Sequence, residues 1–137
     1  MSLLRSAALL FAGVFALGFV LGVLRTLLLA PWLGELAAVA VELPVILAAS
    51  WWWCGWLLRR SDERSLRGSG ARALAMGAIA LGLLLAAELG LSMILAGRSA
   101  GEHLALYALP AHQLGLAAQC LFGLMPWLWL RRRASRP

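Results

Sequence analysis

Long apolar runs broken by short polar stretches dominate this chain. The runs cover 7–30, 36–58, 71–96 and 104–130 and consist mostly of Ala, Leu, Val, Gly and aromatic residues. Each meets the requirement of about 20 apolar residues for a helix that crosses a bilayer. No stretch alternates polar and apolar residues at period two, so the pattern excludes a transmembrane barrel. The connections are PWLGE (31–35), RRSDERSLRGSGAR (59–72) and GRSAGEH (97–103). Short connections make successive helices antiparallel. The pattern therefore predicts an all-α polytopic membrane protein, an antiparallel bundle of four transmembrane helices forming one domain over 1–137. Pro31 is placed to end the first helix.

Composition agrees: 63% of residues are hydrophobic and 13% charged, far from soluble usage. The net charge of +6 raises the question of nucleic acid, and the placement of the charges answers it. Every basic residue is arginine. Arg59, Arg60, Arg64, Arg67 and Arg72 lie between the second and third runs, Arg131, Arg132, Arg133 and Arg136 follow the fourth, and Arg5 precedes the first. Only Arg25 and Arg98 fall on the other side. By the positive-inside rule both termini are cytoplasmic. The charge marks topology and contact with anionic lipid, so the expected partner is the bilayer and not nucleic acid. Trp51, Trp52, Trp53, Trp56, Trp127 and Trp129 lie near the same boundary, as an interfacial belt does. Asp62 and Glu63 read as solvated loop residues.

Arg5 and the apolar residues after it have the look of a signal peptide, but the run outlasts an h-region, which predicts a retained helix. Cys54 and Cys120 form no CxxC pair and read as packing residues.

The segment LRTLLLAPWLGELAAVAVELP, about the first third of the chain, resembles a family of small four-helix bacterial inner-membrane proteins with no assigned activity. The resemblance implies the four-helix topology and an inner-membrane location. It carries over no catalytic residue.

Candidate chemistry resides in polar residues inside the apolar runs. Arg25 and Glu42 are nearly symmetric about the first outer connection, and Glu88 and His112 about the second. This spacing predicts two facing pairs, with four ionisable groups in one layer of the outer half of the bilayer. Gly18 and Gly22 share a helix face with Arg25 in a GxxxG arrangement that favours close packing. His112, Gly115, Gln119 and Gly123 form a stripe on the fourth helix, and Ser92 lies one turn beyond Glu88. Pro44, two residues after Glu42, frees a backbone carbonyl beside the acid. A carboxylate facing an imidazole can exchange a proton near neutral pH. The plainer reading is that such residues glue helices together, at roughly 0.6 kcal/mol each. His103 is expected in water, and Glu35, Arg98 and Glu102 at the interface.

GRSAG (97–101) matches GxSxG, but it lies in a turn between membrane helices and lacks the strand-to-helix elbow of a serine hydrolase. Two histidines make no histidine box, and HExxH, P-loop and GxGxxG patterns are absent, so no catalytic residue, metal or cofactor is implied. The leading expectation is a transporter or channel component. Its binding layer is Arg25, Glu42, Glu88, His112, Ser92 and Gln119, and its ligand an ion, a proton or a small polar solute. Four helices enclose little volume, so a pathway calls for a homodimer. The alternative is a non-catalytic accessory protein that meets a membrane-protein partner and uses the same residues to lock its bundle. A membrane enzyme acting on a lipid-soluble substrate is the third reading.

Overall fold

The computed structural model describes residues 2–61 and 69–135. Arg64, Arg67, Arg136, Asp62 and Glu63 lie outside the described residues. Helix α1 (Leu3–Leu24) runs into a π-helical turn (Arg25–Leu29) and then α2 (Ala30–Leu33). Helix α3 spans Glu35–Arg60, α4 Gly70–Ala96, α5 Ala100–Ala105 and α6 Pro110–Ala134, with a 3-10 turn at Leu106–Ala108. Four stretches are long and apolar enough to cross a membrane: Leu3–Leu33, Glu35–Arg60, Gly70–Ala96 and Pro110–Ala134. The protein is an all-α bundle of membrane-spanning type.

Local chemistry explains the boundaries. The Ser2 and Ser69 hydroxyls accept the Arg5 and Arg72 backbone N–H groups and cap α1 and α4. Gly34 (φ 79°) and Gly97 (φ 65°) turn the chain after α2 and α4, in left-handed backbone that side chains disfavour. The first span does not stop at Pro31. Proline has no N–H, and its ring crowds the carbonyl four residues back. Immediately before it the ladder widens, with the Ala30 N–H donating to the Arg25 carbonyl. That wider turn lets the helix pass through the proline. The fourth span begins at Pro110, later than the apolar run suggests. Leu109 is extended (φ −82°, ψ 138°), as a residue before proline prefers, and proline suits a helix's first turn.

Helix α1 packs against α3 and α4, and α6 packs against the same two. Helices α3 and α4, although consecutive spans, have little contact and lie diagonally across the bundle. The expectation that sequential helices are neighbours thus holds within each hairpin and fails between them. Connection length does not account for this, since 61–69 is shorter than 97–109, which joins the packed pair α4 and α6.

The core lies toward the arginine-rich end. Ala7, Leu10, Val14, Cys54, Leu57, Leu58, Met76, Ala80, Leu84, Phe122, Met125 and Trp129 form one buried cluster. Glycines make room for it. The Trp53 indole lies against Gly13 and donates to the Leu9 carbonyl at 3.1 Å, while Trp129 lies against Gly55. At Gly77 a methyl group would run into the Gly123 carbonyl, so the α4 and α6 backbones nearly touch. Cys54 is buried, as a packing residue should be, but Cys120 is exposed on the bundle's outer face.

Candidate functional site

At the opposite end the four spans separate around a cleft of about 610 Å³. All six residues of the expected binding layer line it: Arg25, Glu42, Glu88, Ser92, His112 and Gln119. No residue of the π-helical turn or of α2 is buried, and α6 has none between Ala111 and Phe122. The cleft extends from Val14, Ser50 and Phe122 near mid-bundle to Arg98 and His103.

Arg25 and Glu42 meet as their spacing predicts. Arg25 Nε lies 2.7 Å from Glu42 Oε2, and both side chains are largely buried, with 24% and 13% exposed. Glu35, half exposed, reaches Arg25 Nη1 at 3.9 Å. The π-helical turn begins at Arg25. Such turns recur at functional positions because they re-aim the residues they carry.

Glu88 and His112 do not pair. Glu88 lies eight residues inside the end of α4, while His112 is in the first turn of α6. Counting inward from the helix ends, roughly 12 Å against 3 Å, they are not level. Gln119, nine residues into α6, matches Glu88 in depth, and its Nε2 donates to Glu88 Oε1 at 2.5 Å. The late start of α6 is the physical reason the predicted symmetry fails. Glu88 consequently has no cationic partner among the described residues.

His112 instead joins a row the sequence did not reveal. Helix α5 is closed by a capping box: Ser99 N–H donates to Glu102 Oε2 at 2.7 Å, and Glu102 N–H donates to Ser99 Oγ at 3.2 Å. This short helix carries His103 into the cleft wall, where it is only 9% exposed. The expectation that His103 sits in water is overturned. The Tyr107 ring meets His103 edge-on at 5.6 Å and His112 edge-on at 6.3 Å. Burial, and secondarily the Glu88 charge, pushes the Tyr107 phenol above its ordinary range. The His–Tyr spacing of four residues is a helical signal for this row, but the apolar pattern puts His103 in the connection and Tyr107 in the fourth run.

Five buried polar atoms around the cleft have no hydrogen-bond partner among the described residues: Ser92 Oγ, His103 Nδ1, His112 Nδ1, Gln119 Oε1 and Arg25 Nε, whose 2.7 Å contact with Glu42 Oε2 is an ion pair without hydrogen-bond alignment. Gly18 and Gly22 line the cleft too, and around Gly22 nothing lies within 4 Å of where a methyl would stand. The GxxxG face at Gly22 therefore borders space and does not pack tightly on another helix. Among the described residues no group of three or more His, Cys, Asp or Glu side chains is arranged to hold a metal ion.

No family model matches the chain, and no curated protein or solved structure is significantly similar to it.

Proposed function

We propose that the protein is a small membrane transporter or channel component that binds an ion or small polar solute in this cleft. The observation that carries the reading is the set of unpartnered buried polar atoms around Glu88. Polar groups at membrane depth are costly unless hydrogen-bonded. Here a carboxylate without a cation faces the same space as hydroxyl, amide and imidazole groups. The volume lies within the range of about 300–1,000 Å³ common to small-molecule sites. Glu88 would recognise a donor or a positive charge, with Ser92, Gln119 and the imidazoles orienting it.

The arginine distribution supports an orientation with both termini in the cytoplasm, so the cleft would face the outer side. A bacterial inner-membrane location rests on the resemblance of the first third of the chain. A continuous pathway would call for a second copy of the chain. The Arg25–Glu42 ion pair favours the accessory reading for those two residues, because their charges already compensate each other.

The test is Glu88→Gln in reconstituted vesicles. The variant retains shape and hydrogen-bonding capacity but removes the ionisable group. Folding should remain near wild type while pH-dependent solute binding or flux is lost. A wild-type protein without pH-dependent binding or flux, and a variant altered only in stability, would instead favour the accessory role.

A further inference from the structure

At the end opposite the cleft, α3 and α6 finish side by side, with Trp129 of one against Gly55 of the other. Five arginines occupy their last turns: Arg59, Arg60, Arg131, Arg132 and Arg133. Arg5 and Arg72 stand at the starts of α1 and α4. The described acids, Glu35, Glu42, Glu88 and Glu102, all belong to the cleft half. A helix C-terminus amounts to roughly −0.5 charge. Two such ends offset about one of the five positive charges, and the sequence at this end supplies only Asp62 and Glu63 against ten arginines, which leaves an excess of positive charge.

Tryptophans hold these arginines in place. Arg60 lies 4.1 Å from the Trp56 ring centre, Arg131 4.6 Å from Trp127, and Arg133 4.3 Å from Trp129. Arg132 crosses from α6 to lie 5.4 Å from the centre of Trp51 on α3. Stacking engages the guanidinium face and leaves the in-plane N–H edge to hydrogen-bond, in a fork that matches phosphate oxygens. Neither Arg60, Arg131 nor Arg132 has a carboxylate partner among the described residues. Tryptophans of this kind collect at the headgroup level of a bilayer.

We propose that this arginine–tryptophan end is a binding site for an anionic phospholipid. The phosphodiester lies between the ends of α3 and α6, and the Arg132–Trp51 contact bridges the site. Lipid is favoured over a soluble phosphate because the tryptophans hold the site at headgroup depth. Trp52 beside it is 63% exposed and offers an apolar wall to an acyl chain.

Native mass spectrometry in detergent, with phosphatidylglycerol or phosphatidylcholine added, tests the site. Phosphatidylglycerol should remain bound at a defined stoichiometry, and phosphatidylcholine should not. Each arginine replaced by glutamine should weaken retention about fivefold, and the triple variant at Arg60, Arg131 and Arg132 by about a hundredfold. Trp51→Leu keeps every charge and should still weaken retention, which diffuse attraction alone does not predict. Equal retention of the two lipids by wild type would overturn the proposal without reference to any variant. So would a folded triple variant that retains phosphatidylglycerol like wild type. Tripolyphosphate binding as tightly as the lipid would assign the site to a soluble anion and overturn the lipid assignment.

Discussion

The two halves of the bundle use the same four helices in opposite ways. In the arginine-rich half, glycines admit indoles and bring backbones together, and the buried cluster lies there. In the cleft half, glycines border space, and polar atoms face one another across it. A glycine in a membrane helix can therefore mark contact or its absence, and only its surroundings decide which. The distinction bears on function because dispersion holds a packed half rigid, while an open half has volume and polar groups to give to a ligand.

Glycine substitutions should break this comparison most sharply. Gly77→Leu drives a side chain into the α4–α6 contact and is expected to cost about 3 kcal/mol of stability. Gly22→Ala adds a methyl where nothing stands within 4 Å and should stabilise by about 0.5–1 kcal/mol through helix propensity. Thermal unfolding in detergent reads both. Equal losses at the two positions would mean that the halves are packed alike.

The ion pair gives a smaller effect. Arg25→Leu or Glu42→Leu leaves the partner charge uncompensated and should cost about 2 kcal/mol. The double variant should recover part of that loss, because the remaining charge is gone. Additive losses in the same unfolding assay would show that the contact contributes nothing.

Much of this was legible in the sequence because hydropathy reports what a segment can be buried in. The four spans follow from the apolar runs, and the Arg25–Glu42 pairing follows from counting residues about a short turn. Counting failed where the chain departs from a uniform helix. Pro31 is absorbed by a π-helical turn, and Leu109 and Pro110 separate α5 from α6. That interruption moved His112 out of register with Glu88 and carried His103 into the cleft. Composition cannot report such shifts, because an apolar run reads the same whether it holds one helix or two. The diagonal placement of α3 and α4 was hidden as well, since the length of a connection does not decide which helix its neighbour packs against.

The smallest effect concerns the rim. Hydrogen bonds from Ser99, first from its backbone N–H and then from its hydroxyl, hold the Glu102 carboxyl below its ordinary range, with Arg98 contributing. A depressed carboxyl pKa stabilises above the unfolded value and loses that contribution as pH falls through the folded value. Acidification should therefore loosen α5 before the packed half responds. Lower protection at 100–105, measured as exchange relative to the intrinsic rate at each pH, with protection in the core cluster unchanged, would show it. Glu102→Gln should remove the pH dependence.

The most direct test of a binding cleft in an otherwise packed bundle is thiol accessibility. Cys54 and Cys120 are first replaced by alanine. Single cysteines at Ser92, Ala80 and Ser99 are then exposed to a small membrane-impermeant reagent on the side opposite the termini. A cleft that admits polar solutes predicts labelling at Ser99 and Ser92 and none at Ala80. Labelling at Ser99 with Ser92 as unreactive as Ala80 would mean that solute does not reach the Glu88 layer, contradicting the proposed function.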